Sequence, residues 1–303
     1  MKVTLSSGHE MPLLIYGTYK VYPDIIPSCL QAALDAGFRH IDTASMYGNE
    51  EAIGTFFKNS TYTRDSVFIT TKVWPSQYRD IKTACEESLQ RLQTDYIDLY
   101  LLHWPLALKS TGPGIPKYNP SPNNFENIDR YPLYLAWQQM EELVRLGKVR
   151  SIGVSNWNVS LLNDMLSYAT IPPACNQFET HIFNPKHKLI EFCLRNNVIP
   201  LGFRVVFTPP NEPRYKFKES TNDHQLVKEF AAKYGKSSHQ ILIRWNLQRK
   251  SGVVVKSANP GRIQENWDAQ DFTISDQDME LLNNLEVYGV FSDSYSMFGI
   301  NIE

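Results

Sequence analysis

Short runs of consecutive apolar residues alternate with amphipathic stretches along most of the chain. The runs fall at 13–17 (LLIYG), 39–42, 67–72 (VFITTK), 97–103 (IDLYLLH), 149–155 (VRSIGVS), 175–180 (CNQFET), 198–203 (VIPLGF) and 252–256 (GVVVK). Runs this apolar suit strands buried on both faces, as in parallel sheets. Between them apolar positions recur every three or four residues. In 22–36 they are Ile25/Ile26, Cys29/Leu30 and Ala33/Leu34, in 77–92 Ile81, Ala84/Cys85, Leu89 and Leu92, and in 133–146 Ala136, Met140 and Leu143/Val144. Gly37 and Gly147 supply helix stops, and Asn49 followed by Glu50 and Glu51 reads as an N-cap with acid in the first turn. Further helical patterns span 185–196 and 223–249, the latter interrupted near Gly235. Eight strands alternating with helices predict an α/β protein, a (β/α)8 barrel forming a single domain over 1–303. A doubly wound sheet would need a glycine-rich strand-to-helix turn, and no GxGxxG or P-loop pattern occurs.

Composition narrows the class. The chain has 303 residues, enough to bury about three quarters of its unfolded surface. With 30 basic and 32 acidic residues and no basic block, nucleic acid is not the expected partner. Cys29, Cys85, Cys175 and Cys193 are widely spaced, which predicts no metal site. The most apolar run, YIDLYLLHWPLAL, is interrupted by Asp98, His103 and Pro105, so no membrane span is expected. The start, MKVTLSSGHEMPLLIYG, lacks the pattern of a signal peptide, and a cytoplasmic protein is the expectation. Composition does not separate a monomer from a weak dimer.

Two connections exceed ordinary loops, 106–131, rich in Pro, Gly and Asn, and the polar, basic 208–222. Both follow strand C-terminal ends, the face on which barrels carry active sites. The tail from Tyr288 to Glu303 has no helical period and is expected to fold over the same mouth. At that face stand Asp42, Lys72 and His103, closing consecutive strands at spacings of 30 and 31 residues, with Tyr47 in the loop after Asp42. Such spacing matches one βα unit of about 30 residues, so the groups converge on one rim. Singly, each has a plain structural reading; together they form a chemically sensible set.

These residues lie in motifs that resemble the aldo-keto reductase family, of the aldose and xylose reductase type. The motifs are GFRHIDTASMYGNEEAIG (37–54), FITTKVWP (68–75), YIDLYLLHWP (96–105), GKVRSIGVSNW (147–157), CNQFE (175–179) and KSANPGRIQEN (256–266). Six motifs in family order cover nearly the whole chain. The resemblance implies a (β/α)8 barrel that binds NADP(H) without a Rossmann motif and reduces a small carbonyl substrate. It implies Tyr47 as general acid, Lys72 beside it favouring the phenolate, Asp42 paired with Lys72 and contributing to cofactor binding, and His103 orienting the substrate oxygen. A free phenol, with a pKa of about 10, is otherwise a weak acid near neutrality.

The resemblance further places Ser155, Asn156 and Gln177 at the nicotinamide carboxamide and Phe203 on its ring. Lys256, Ser257 and Arg262 would grip the adenosine 2′-phosphate, with Glu265 and Asn266 at the adenine. Two cations and a hydroxyl before a helix suit a dianion. Tyr19, Trp74 and Trp104, with His103, would line the substrate pocket. Departures stand at Phe203-Arg204-Val205-Val206, where the family commonly has Tyr-Ser-Pro-Leu, at Val255, where proline often precedes the lysine, and at Tyr19, where many relatives have tryptophan. Arg204 is expected to pair with the cofactor phosphates or with an acid of 208–222. The competing function is a non-catalytic NADPH-binding subunit or sensor on the same fold; a dehydrogenase, quinone or prostaglandin-type reductase keeps the enzyme and changes its substrate.

Overall fold

The computed structural model describes every residue except 113, 117–118, 209–218, 286–288, 290–293 and 303. The eight apolar runs become eight parallel strands: β1 (Leu14–Gly17), β2 (His40–Asp42), β3 (Phe68–Val73), β4 (Ile97–Leu102), β5 (Val149–Ser155), β6 (Cys175–Glu179), β7 (Ile199–Phe203) and β8 (Gly252–Val255). They follow one another round a closed barrel, β8 pairing with β1 through Val253–Leu14, Val254–Ile15 and Val255–Tyr16. The barrel expectation holds, with strand ends within one residue of the hydrophobic runs.

The helices cover the outer wall: α1 (Ile26–Ala36), α2 (Glu50–Asn59), α3 (Ile81–Leu92), α4 (Leu133–Arg145), α5 (Val159–Tyr168), α6 (His187–Arg195), α7 (Gln225–Tyr234), α8 (Ser238–Gln248), α9 (Pro260–Trp267) and α10 (Asp276–Asn283). The break near Gly235 is a true helix end. Gly235 adopts a left-handed φ of 61°, and Ser237 starts α8 with a capping box to Gln240. Across the opposite end of the barrel lies a hairpin, Lys2–Thr4 against Glu10–Pro12, which hydrophobic runs this short did not announce.

Asn49 stands at the N-cap position of α2, but its side chain does other work. Its amide donates to the carbonyls of Thr18 and Val21 at 2.9 and 3.1 Å, and its Oδ1 accepts from the Thr43 hydroxyl at 2.7 Å. It therefore stitches the loops after β1 and β2 together at the C-terminal end of the barrel. Glu50 lies in the first turn as expected, yet it is buried: it accepts from Thr71 at 2.6 Å and pairs with Arg91 of α3 at 2.8 Å.

The long connections carry structure of their own among the described residues. In 106–131, Ala107–Leu108 pairs antiparallel with Ile128–Asp129, and a 3₁₀ turn spans Pro122–Asn127. For 208–222, residues 209–218 lie outside the described residues, but the two feet are joined. Thr221 N–H donates to the Phe207 carbonyl at 2.9 Å, and Phe207 N–H donates to Thr221 Oγ1 at 2.8 Å. Of the tail, 288, 290–293 and 303 lie outside the described residues; 294–302 folds over the mouth and holds a short helix, α11 (Ser294–Phe298), in a stretch without helical period. The cause is tertiary: Phe298 is buried between Trp74 and Trp104, with ring centroids 6.3 and 5.1 Å away.

Gly54, inside α2, sits where that helix meets the end of α3. A Cβ there would lie 2.5 Å from the Arg91 carbonyl oxygen and 2.6 Å from the Leu92 carbonyl carbon. Backbone cannot yield as a side chain can, so Gly54→Ala is expected to lower the unfolding free energy by about 1–3 kcal/mol despite a helix-propensity gain of roughly 1 kcal/mol. Urea unfolding measures this, and an unchanged or raised midpoint contradicts the packing account.

Candidate active site

The residues singled out from the sequence meet at the C-terminal rim. Asp42 ends β2, Lys72 lies in β3, His103 follows β4, and Tyr47 ends the 3₁₀ turn Ser45–Tyr47 after β2. Lys72 is fully buried, and its Nζ donates to Asp42 Oδ1 at 2.6 Å and to the Thr43 carbonyl at 2.9 Å. The other Asp42 oxygen accepts from Gln177 Nε2 at 2.7 Å, across the barrel on β6. Tyr47 lies over this pair, its ring centroid 5.2 Å from Lys72 Nζ, and 5.8 Å from the His103 ring.

Burial and charge set the protonation states. Burial pulls the Lys72 ammonium below its usual range, and the Asp42 carboxylate opposes this. Burial, then the Lys72 charge, holds the His103 imidazole well below 6.5, so the ring is neutral near pH 7. Its Nδ1 is buried with no hydrogen-bond partner, which places the single proton better on Nε2, where a substrate oxygen can receive it. Burial, then the negative charge on Asp42 and the neighbouring Tyr19, holds the Tyr47 phenol well above 10. The ammonium faces the ring while hydrogen-bonding Asp42 and Thr43, and Tyr47 remains protonated.

The residues assigned to the nicotinamide also come together. The Ser155 hydroxyl donates to the Gln177 carbonyl at 2.8 Å, and the Asn156 amide donates to Ser155 Oγ at 3.1 Å and to the His103 carbonyl at 2.9 Å. Asn156 holds a left-handed φ of 70°, a conformation that asparagine tolerates better than most side chains. Phe203, half-buried, ends β7 on the same rim. With those donors engaged, the side-chain carbonyls of Asn156 and Gln177 and the second Gln177 Nε2 hydrogen are left to suit a carboxamide. At the β8 end, Lys256 and Arg262 are exposed, and neither pairs with an acid among the described residues. Ser257 and Asn266 are buried nearby, and the Glu265 carboxylate accepts from the Ser237 hydroxyl of the α8 cap. Two unpaired cations beside the N-terminus of α9 suit a phosphate.

Arg204 is expected to meet the cofactor phosphates or an acid of 208–222, of which Glu212 lies outside the described residues; among the described residues it has another partner. It adopts a φ of 55°, pairs with Glu179 of β6 at 3.5 Å, and lies over the Phe207 ring at 5.5 Å. No acid of 208–222 meets it among the described residues. Glu179 in turn contacts His181 Nε2 at 3.1 Å.

Tyr19, Trp74 and Trp104 surround the mouth. The Tyr19 ring lies 5.0 Å from Tyr47, and Trp74 stands perpendicular to His103 at 5.1 Å. Trp104 is held by Tyr78, whose hydroxyl donates to its carbonyl at 2.7 Å and accepts from its N–H at 3.2 Å. Sequence reasoning missed Tyr78, Thr43 and Phe298. Thr43 lies inside a quoted motif and Tyr78 three residues beyond another, but Phe298 carried no signal that set it apart from the other aromatics of the tail.

A family model described as the aldo/keto reductase family matches residues 18–287. The chain is 37% identical to the NADP-dependent D-sorbitol-6-phosphate dehydrogenase of Malus domestica, covering 94% of this chain and 93% of that protein. It is 34% identical to the NAD(P)H-dependent D-xylose reductase I,II of Candida tropicalis, with 99% and 97% covered. Its structure superposes on that of the aldose reductase from Schistosoma japonicum with a TM-score of 0.86 at 30% identity, over 99% and 97% of the two chains. A family match across most of the chain, relatives of full length and a shared barrel lead to one conclusion: this chain belongs to the aldo/keto reductase family.

Proposed function

We propose that this chain reduces aldehydes or ketones to alcohols with NADPH. The observation that carries the reading is the convergence of Tyr47, His103 and the buried Lys72–Asp42 pair on one rim, beside an amide-rich patch. Asn156, Gln177, Ser155 and Phe203 would hold the nicotinamide, and Lys256, Ser257 and Arg262 the 2′-phosphate, with Glu265 and Asn266 at the adenine. When bound, the reduced nicotinamide supplies hydride to the carbonyl carbon.

The chain's own groups then manage the oxygen. His103 Nε2–H donates a hydrogen bond to it and shares its growing charge. Tyr47 hands over the phenolic proton, so hydride and proton together convert C=O to CH–OH. The phenolate left behind faces the Lys72 ammonium, whose charge stabilises it at the moment it forms, and solvent protons restore the phenol. Asp42 fixes that ammonium in place. Tyr19, Trp74, Trp104 and Phe298 would exclude water and hold the substrate body in an aromatic mouth. The relatives' names put aldoses and sugar phosphates first among substrates to try.

Tyr47→Phe is expected to lower the turnover of NADPH with an aldehyde panel by about 10²- to 10⁴-fold while NADPH binding stays within twofold. Tight NADPH binding by the unaltered protein without turnover of any aldehyde or ketone would instead favour a cofactor sensor. The pH profile supplies a second check. A proton donor is lost as pH rises through its pKa, and burial raises that of Tyr47 above 10. Reductive kcat/KM is therefore expected to have no alkaline limb below about pH 10. A fall centred near pH 8 would mean that Lys72 acidifies the phenol before reaction.

A further inference from the structure

We infer that Tyr16 is a positioning residue for cofactor choice: buried beneath the loop after β8, it fixes the backbone from which Lys256, Ser257 and Arg262 meet the 2′-phosphate. The inference rests on the assignment of that loop to the 2′-phosphate. Tyr16 belongs to β1 and lies in register with Val255, the last residue of β8. Two residues further on the ladder has ended, and the Ser257 carbonyl has no strand to pair with. Tyr16 Oη donates to that carbonyl at 2.6 Å.

From Ser257 the order continues outward. Asn259 N–H donates to Ser257 Oγ at 3.0 Å, and Arg262 N–H donates to Asn259 Oδ1, the cap of α9, at 3.1 Å. A chain of hydrogen bonds thus runs from a core phenol to the first turn of α9, with the two exposed cations on either side. The Tyr16 ring also reaches the far end of the helix. It packs edge-on against Phe38 at 5.9 Å, and Phe38 packs against Trp267, the last residue of α9, at 5.2 Å. Gly37 leaves room for this, since a Cβ there would lie 2.6 Å from the Trp267 ring. Both ends of α9 are referenced to one residue. Burial keeps the phenol protonated far beyond neutral pH, so it remains a donor throughout.

Lysine and arginine side chains are flexible, and a dianion gains most from them when their backbone and the helix N–H groups are already placed. Removing Oη leaves the Ser257 carbonyl without its donor and frees the loop, while the Tyr16 ring contacts stay. The loss falls on the nucleotide that carries a 2′-phosphate.

The test is Tyr16→Phe in the full chain, with equilibrium binding of NADPH and NADH followed by protein fluorescence. NADPH is expected to bind about 3- to 10-fold more weakly and NADH within twofold of the unaltered protein. At saturating NADPH, kcat should be unchanged, and amide exchange at Asn259 and Arg262 should accelerate. Phe38→Leu disturbs the packing but keeps the hydrogen bond, and should leave the NADPH-to-NADH ratio closer to normal than Tyr16→Phe does. Equal weakening of both nucleotides, an unmoved ratio, or a variant too unstable to fold while Asn259→Ala leaves the ratio intact would overturn the role. Unaltered protein that binds both nucleotides equally would instead refute the 2′-phosphate assignment itself.

Discussion

A lysine whose side chain is entirely buried is the constraint round which the rest of this barrel is arranged. An isolated ammonium in such a place costs several kcal/mol, and only a well-placed counter-charge with further acceptors offsets it. Asp42 provides that charge at 2.6 Å and the Thr43 carbonyl a second acceptor at 2.9 Å. The remaining carboxylate oxygen accepts from Gln177, four strands away round the ring. One ion pair therefore ties three strands of the barrel. The same dry surroundings leave His103 neutral and Tyr47 protonated, so the structural cost and the chemical readiness have one origin.

The polar machinery stands on strand ends, where backbone pairing limits movement, while the walls of the mouth come from segments far apart in the chain. Tyr19 follows β1, Trp74 follows β3, Trp104 follows β4, and Phe298 comes from the tail. Two loops secure that tail. Ser121 N–H and the Asn124 amide donate to the Met297 carbonyl at 3.1 and 3.0 Å, and the Asn158 amide donates to the Ile302 carbonyl at 3.3 Å. In the proposed reaction, proton transfer and substrate shape would be carried by different kinds of structure, which lets the mouth vary while the strand ends stay as they are.

The departures from the family pattern are absorbed locally. Arg204, a cation where a small hydroxyl residue is common, is accommodated by the nearly buried Glu179 and the Phe207 ring. Tyr16 uses its hydroxyl to satisfy a carbonyl beyond the end of the neighbouring strand.

The barrel was legible along the chain because parallel strands buried on both faces must be continuously apolar, and the repeat of about 30 residues brings Asp42, Lys72 and His103 to one end. Tyr47, one turn past Asp42, came with them through the motif. Which polar residue types stand together at the strand ends could therefore be read early. Distances and solvation could not: Lys72 facing the Tyr47 ring, the protonated phenol, the Asn49 side chain that binds loops instead of capping α2, and the pairing of Arg204 with Glu179 all depend on where buried groups find partners. Phe298 is the clearest case, since nothing near it in sequence calls for a helix. The local pattern of apolar residues determines which segments become strands and helices. Which polar atoms are left dry, and hence charged, neutral or bonded, is decided only when segments distant in the chain close around them.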